Sequence, residues 1–142
     1  MQDLHQQMRQ MSQDLQLLHI ATVDEHGLPQ LRPVVGKADA DMTIRFSTHL
    51  DSDKVAQIWD KPDVQLILGA SHARSETWLR VTGRAKISTS QEEREAFWFE
   101  GLKAFVQDVN DPRYCVVIVR PKRVRMHNLF QAEPVLDWQP GA

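Results

Sequence analysis

The sequence predicts a small, mainly β protein: a barrel of about six mostly antiparallel strands with peripheral helices. Its 142 residues are the usual length of one domain. Several short segments alternate apolar and polar residues, most regularly 42–48 and 77–88, and polar turn residues separate them. We therefore expect a single domain over 1–142, with an N-terminal helix over 1–18 and a loosely held tail over 131–142.

Composition limits the classes of protein that the chain can belong to. Its hydrophobic content of 42% and charged content of 25% are typical of soluble globular proteins. A net charge of −2 gives no general attraction to nucleic acid or anionic membranes, and no apolar run is long enough to span a bilayer. The single cysteine, Cys115, fits a reducing compartment, and the polar N-terminus does not resemble a signal peptide. We predict a cytoplasmic protein without nucleic-acid or membrane partners.

The first elements follow from residue spacing. Apolar residues separated by 4, 3, 4 and 3 positions form the stripe of an amphipathic helix that covers a barrel end: Leu4, Met8, Met11, Leu15 and Leu18. A strand over 19–23, a turn with Gly27 and a return strand over 28–35 come next. Pro33 cannot donate to a ladder and therefore predicts an edge or a bulge in that return strand.

A strand and a helix meet near residue 50. Segment 42–48 places Thr48 on its apolar face, where the hydroxyl needs a hydrogen-bonding partner. Residues 51–53 resemble a helix N-cap, and Pro62 ends the helix. The predicted buried side of this helix is Val55, Ile58 and Trp59.

The second half predicts three further elements. Segment 64–68 is a well-buried strand, and Gly83 within strand 77–88 indicates a bulge or a close backbone approach. Ser90 opens a capping box for a helix that ends near Gly101. Segment 114–119 is a buried strand, with a continuation to about residue 126 left open.

Several kinds of chemistry have no support in the sequence. The six histidines show no paired spacing and Cys115 has no cysteine partner, which disfavours a metal site. Nucleophile-elbow, Walker A and GxGxxG motifs do not occur. A basic run is better explained as a solvated strand face than as a phosphate or nucleic-acid site: Arg120, Lys122, Arg123 and Arg125.

Segment 27–54 concentrates the residues that could bind an anion. Each of its cations alone is more commonly a surface residue. Together, cations and hydroxyls around one strand–helix junction can form a phosphate pocket. The candidates are Arg32, Lys37, Ser47, Thr48, Ser52 and Lys54.

An ordered set of short motifs carries a family resemblance. Segment 32–37 resembles Arg-x-Val-Leu-Leu-Lys, 46–48 resembles Phe-Tyr-Thr, and 52–54 resembles Ser-Arg-Lys. Segment 61–64 resembles Asn-Pro-x-Val, and 79–85 resembles Val-x-Val-x-Gly-x-Ala. In this order they resemble the FMN-binding core of the pyridoxamine 5'-phosphate oxidase-like split β-barrel family. The chain is most similar to its short, general-stress-protein type.

The resemblance implies a homodimer with FMN at the subunit interface. It implies that the FMN phosphate or ribityl chain is held by Arg32, Ser47, Thr48, Ser52 and Lys54. The backbone at Val34 and Val35 would line the flavin ring, and Lys37 would complete the motif of that strand. Trp78 stands where the family often places a flavin-contacting polar residue, and its ring could stack on the flavin or simply fill space. Asp53 replaces a basic residue of the family pattern, and Pro33 and Gly36 alter the flavin-lining strand.

The resemblance implies a flavin-dependent oxidoreductase of unknown substrate, in which the flavin supplies the redox chemistry. Two alternatives stay open, namely a non-catalytic flavin-binding stress protein and a binding module for another planar ligand, such as a deazaflavin or a tetrapyrrole. True pyridoxamine phosphate oxidases carry a C-terminal substrate-binding segment with no counterpart in this sequence. We therefore do not expect that activity.

Overall fold

The computed structural model describes residues 3–69 and 76–141. The predicted N-terminal helix and tail also include residues 1–2 and 142, which lie outside the described residues. These described residues contain three α-helices, one 3-10 helix and seven strands. In order they are α1 (Leu4–Ser12), β1 (Gln16–Val23), β2 (Pro29–Ala38), β3 (Ile44–His49), α2 (Asp53–Asp60), β4 (Asp63–Leu68), β5 (Thr77–Ser88), α3 (Gln91–Phe97), the 3-10 helix Glu100–Ala104, β6 (Tyr114–Asn128) and β7 (Leu136–Trp138).

Six strands close into a barrel, and the seventh extends its wall. The strand order is β3-β2-β1-β4-β5-β6-β7, and an additional pairing of β3 with β6 closes the ring. The pairs between described strands are antiparallel. The predicted mainly β barrel of about six strands with peripheral helices is confirmed.

Alternating side chains of the barrel strands fill its interior. Phe46, Leu66 and Val81 are fully or almost fully buried, as are Ile44 and Leu79 two positions before Phe46 and Val81. Burying each such side chain contributes about 1.5–3 kcal/mol. In β4 only alternate residues are buried, and Gln65, between two of them, faces solvent. The strand that was predicted to be well buried is therefore buried at Val64, Leu66 and Leu68, while its other face is more exposed.

The N-terminal helix is shorter than predicted. It ends at Ser12, whose hydroxyl donates to the Met8 carbonyl, and β1 begins at Gln16. Leu15 is exposed, while Leu18 is a buried strand residue opposite Val34. Antiparallel pairing with β2 therefore overrides the helical spacing of the last two apolar residues.

The tail is held more firmly than predicted. Leu136–Trp138 forms β7, in which Leu136 pairs with Met126 and Trp138 pairs with Val124 of β6. Leu136 and Trp138 also pack against the core. The prediction of a loosely held tail over 131–142 is therefore wrong for residues 136–138.

Two backbone predictions are confirmed at Gly83 and Pro33. The register of β5 with β6 shifts between Thr82 and Gly83, and a Cβ at Gly83 would lie 2.6 Å from the Arg120 carbonyl oxygen. β2 pairs with β3 only over 36–38, so the β2 stretch that contains Pro33 is open on that side. β6 runs without a break to Asn128, which settles the continuation of the 114–119 strand.

The helices differ from expectation in two details. Ser90 caps α3 as predicted, but α3 ends at Phe97 and a 3-10 helix follows it. Trp59 was predicted on the buried side of α2 and is 68% exposed. No helix within residues 3–69 and 76–141 is long and apolar enough to cross a membrane.

Candidate functional site

A cavity of about 530 Å³ lies between the barrel wall and the connection from α3 to β6. The barrel side comes from β1, β2, β3 and the start of α2, and the other side comes from residues 99–106, here called the strap. The cavity is lined by Leu17, Pro33, Val34, Val35, Ser47, Thr48, His49, Ser52, Lys54, Phe99, Gly101, Leu102, Phe105, Val106 and Tyr114. Predicted site residues of segment 27–54 thus share one cavity with a strap that the sequence analysis did not connect to it.

The polar end of the cavity forms where β3 leads into α2. Lys54 Nζ donates to Thr48 Oγ1 at 2.7 Å, which supplies the partner that the Thr48 hydroxyl was predicted to need. Ser52 Oγ lies 3.3 Å from the same oxygen. Although Ser52 is the N-cap residue of α2, its side chain makes no capping hydrogen bond. Two hydroxyls and one ammonium group therefore converge at the start of a helix, a position that favours anions.

Arg32 is not among the residues that line the cavity, but it is close enough to Lys54 for their charges to interact. Its guanidinium donates from Nη1 to Thr22 Oγ1 at 2.7 Å and from Nη2 to Gln57 Oε1 at 3.1 Å. Thr22 stands on β1 and Gln57 on α2, so the guanidinium bridges the barrel and the helix.

The electrostatics of Arg32 and Lys54 favour an anion. Burial lowers the pKa of Lys54, and the charge of Arg32 lowers it further. Burial also lowers the pKa of Arg32. Within residues 3–69 and 76–141, neither side chain forms an ion pair with a carboxylate. Two partly desolvated cations that repel each other would both be stabilised by a negative group between them.

Asp53 opposes this effect only weakly. Its charge raises the pKa of both Arg32 and Lys54, but the side chain is exposed and forms no ion pair with either within the described residues. As the first residue of α2 it interacts favourably with the helix dipole. The negative charge of Asp53 is therefore present, but it does not neutralise Arg32 and Lys54.

The other end of the cavity is apolar. Its lining includes Val34 and Val35 of β2 and Phe99, Leu102 and Phe105 of the strap. A slot with such walls suits a planar ring system. His49 Nε2 is 2.7 Å from the Phe105 carbonyl oxygen, and this contact ties the strap to β3. The aromatic cluster 97–99 and 105, between a helix and a strand, was the sequence signal for this wall.

Lys37 and Trp78 lie away from the cavity within one chain. Lys37 lines a separate cleft of about 310 Å³, together with Arg9, Asp39 and Arg45. Trp78 stands on the outer face of β5, where its ring stacks on His127 with centroids 4.5 Å apart and planes at 17°. The Arg80 guanidinium lies 5.3 Å from the Trp78 ring centroid.

The basic run on β6 is mostly paired with acidic side chains. Lys122 Nζ lies 3.0 Å from Asp63 Oδ1, and Arg123 forms a two-point ion pair with Asp137. Arg125 Nε is 3.8 Å from the same carboxylate. This arrangement agrees with a surface strand face rather than a free anion site.

Cys115 has a buried free thiol that donates to the Thr48 carbonyl oxygen, and burial raises its pKa to about 11. A protonated, buried thiol is a poor nucleophile. Among residues 3–69 and 76–141, no group of three or more His, Cys, Asp and Glu side chains could hold a metal ion.

Comparison with known proteins identifies the family. The model of the pyridoxamine 5'-phosphate oxidase family matches residues 4–128, which covers the barrel, the junction of β3 with α2 and the strap. The chain therefore belongs to this family.

Individual relatives agree in fold. General stress protein 26 of Bacillus subtilis (strain 168) is 26% identical over 135 residues, which span 94% of this chain and 95% of that protein. The crystal structure of General Stress Protein 26 from Bacillus anthracis str. Sterne superposes with a TM-score of 0.83 at 20% identity, over 96% of this chain and 98% of the other. A pyridoxamine 5'-phosphate oxidase-related, FMN binding protein from Nostoc punctiforme PCC 73102 gives a TM-score of 0.61 at 18% identity, over 83% and 76%.

Proposed function

We propose that this protein binds FMN in the 530 Å³ cavity and acts as a flavin-dependent oxidoreductase whose substrate is unknown. The observation that carries the proposal is the pair of neighbouring cations Arg32 and Lys54, of which Lys54 lines a cavity with apolar walls; neither forms an ion pair with a carboxylate of the described residues. Family membership and the similarity to an FMN-binding protein support it.

The residues present fit a flavin mononucleotide. A phosphomonoester carries close to two negative charges near neutral pH. Arg32 and Lys54 would balance them, while Thr48, Ser52 and Ser47 offer hydroxyl groups to the phosphate and ribityl oxygens. The ring system would lie against Val34 and Val35 under the strap, where Phe99 and the largely exposed Phe105 offer aromatic surface.

Redox chemistry would come from the flavin, and the chain would supply position and electrostatics. Two further polar side chains of the lining have partners: His49 Nε2 contacts the Phe105 carbonyl, and the Tyr114 hydroxyl donates to the Arg94 carbonyl at 2.8 Å. The Tyr114 hydroxyl and His49 Nε2 could therefore act as an acid or base only if those contacts broke. The oxidation of pyridoxamine or pyridoxine phosphate is not part of this proposal.

We further propose that the site is completed by a second copy of the chain. Leu17, Leu31 and Val35 form an exposed apolar face on β1 and β2, and Leu31 is 70% exposed. Because Trp78 lies outside its own cavity, it could contact flavin only from a partner subunit. A permanent dimer would bury more than about 2,000 Å² in total. Sedimentation of a monomer at micromolar concentration would contradict this part of the proposal.

The phosphate assignment is tested by comparing FMN with riboflavin, which lacks the phosphate. In Lys54→Met the lost charged hydrogen bond should cost about 1.5–3 kcal/mol, which weakens FMN binding roughly tenfold to a hundredfold. Riboflavin binding should change little. The control is Lys86→Met, which removes the same charge from an exposed position on β5. Equal losses for both flavins in Lys54→Met, or equal losses of FMN in both variants, would reject the assignment.

The alternatives predict different spectra. A deazaflavin or a tetrapyrrole bound to the purified protein absorbs differently from FMN, and either spectrum would replace the proposed cofactor. A bound FMN that no physiological reductant or oxidant can turn over would favour the non-catalytic flavin-binding protein. We also propose a cytoplasmic location, because the chain has a single cysteine and that thiol is free.

A further inference from the structure

We propose that Gln57 and Thr22 are positioning residues that hold Arg32 close to Lys54 without neutralising it, and thereby give the site its preference for a doubly charged phosphate. This inference rests on the proposed function, because it concerns the group that Arg32 would bind there.

The three side chains form a closed ring of hydrogen bonds. Arg32 donates to the Thr22 hydroxyl at 2.7 Å and to the Gln57 amide oxygen at 3.1 Å, and the Thr22 hydroxyl donates to the same amide oxygen. Thr22 is 1% exposed, so its hydroxyl is fixed inside the barrel end. Gln57 reaches the ring from one turn inside α2, the helix whose first residues line the cavity. The ring therefore fixes the guanidinium relative to Lys54.

The chemical nature of the acceptors matters as much as their position. Arginine in a partly buried place is usually paired with a carboxylate, which orients it and cancels its charge. Here both acceptors are neutral, so the guanidinium is oriented while its full charge is available to a ligand. Three of its five N–H donors remain for that ligand after the two bonds of the ring.

A change of one atom tests this idea. Gln57→Glu keeps the shape of the side chain and replaces the amide with a carboxylate, which would form an ion pair with Arg32. We expect FMN to bind roughly tenfold or more weakly, since one charged hydrogen bond to the phosphate is replaced by an internal one. Riboflavin should bind within about twofold of wild type, and the melting temperature should not fall. If Gln57 has only a structural role, the affinities for FMN and riboflavin should change in parallel.

A matched control exists on β4. Gln65 Nε2 donates to Thr82 Oγ1 at 3.1 Å, an exposed glutamine–threonine pair on the outside of the barrel. Gln65→Glu adds the same charge to the protein but not beside Arg32, and FMN affinity should stay at the wild-type value. A loss of FMN affinity as large as that of Gln57→Glu would mean that net charge alone is responsible, which overturns the inference.

Thr22 provides a second test that does not depend on the glutamate variant folding. Thr22→Val preserves shape and removes the oxygen that accepts from Arg32, whereas Thr22→Ser keeps it. FMN affinity should fall in Thr22→Val and recover in Thr22→Ser, with riboflavin unaffected in both. If Thr22→Val and Thr22→Ser bind FMN with equal affinity, the assignment is contradicted.

Inorganic phosphate separates the failure of this inference from the failure of the proposed function. If wild type binds FMN no better than riboflavin, FMN is the wrong ligand. The inference then still predicts that phosphate raises the melting temperature of wild type and not of Gln57→Glu. If FMN is preferred and Gln57→Glu retains the full preference, the function stands and the inference is wrong. If neither FMN preference nor phosphate protection is seen in wild type, both are rejected.

Discussion

Two N-cap serines should respond in opposite ways to the same substitution. Ser90 Oγ accepts from the Glu93 backbone N–H at 3.2 Å, as a helix cap should, whereas Ser52 makes no such bond and its hydroxyl lies beside Thr48 at the cavity. Loss of a capping side chain costs about 0.5–2 kcal/mol. For a chain of about this length, 1 kcal/mol shifts the melting temperature by roughly 2–4 °C. Ser90→Ala should therefore melt roughly 1–8 °C lower with unchanged FMN binding.

Ser52→Ala should show the reverse pattern. Because no capping bond is lost, its melting temperature should stay within about 1 °C of wild type. One neutral hydrogen bond to a ligand contributes about 0.5–1.5 kcal/mol, so FMN binding should weaken roughly twofold to twelvefold. Thermal denaturation by circular dichroism and flavin fluorescence quenching measure the two effects. If Ser52→Ala loses as much stability as Ser90→Ala, or keeps wild-type FMN affinity, Ser52 is a structural cap and not a ligand.

Two further predictions concern groups outside the cavity. The pKa of Asp111 is held well below its usual range by the Arg113 side chain and by the backbone N–H groups of Gln107 and Arg113. The ionised carboxylate therefore stabilises the fold above about pH 4, and this stabilisation is lost as the pH falls through the lowered pKa. Asp111→Asn should accordingly have a lower melting temperature than wild type at neutral pH, and the gap between the two melting temperatures should shrink in strong acid. A gap that does not change with pH would refute the charge-based reasoning. Cys115, buried and with a pKa of about 11, should resist a thiol reagent near neutral pH until the protein is unfolded, and rapid labelling of the native protein would show that β3 and β6 open locally.

The barrel could be predicted because the sequence features that specify its strands and turns are local. Alternation in 42–48 and 77–88, the turn at Gly27 and the bulge at Gly83 each depend on neighbouring residues, and the structure contains all of them. The junction that places Thr48, Ser52 and Lys54 together is local as well, because a strand leads directly into a helix.

The errors arose where distant residues decide the outcome. The apolar spacing that ends at Leu18 is helical, yet pairing with β2 makes 16–18 a strand. Trp138 belongs to a short, proline-flanked segment, and only β6 gives it a partner.

The cavity shows the same division between local and distant information. The strap lines it and packs against β6, where Leu102 and Val106 cluster with Val116, and the support of Arg32 by Gln57 joins residues 25 positions apart. A pattern of neighbouring residues carries no record of such contacts.

The most direct test of the account is a crystal structure of the protein grown with FMN. We predict that the phosphate lies within hydrogen-bonding distance of Lys54 Nζ and the Arg32 guanidinium, with the ring system between Val34–Val35 and the strap. A phosphate found in the cleft of Lys37 and Arg9, or a flavin that leaves the cavity at Lys54 empty, would contradict the central claim.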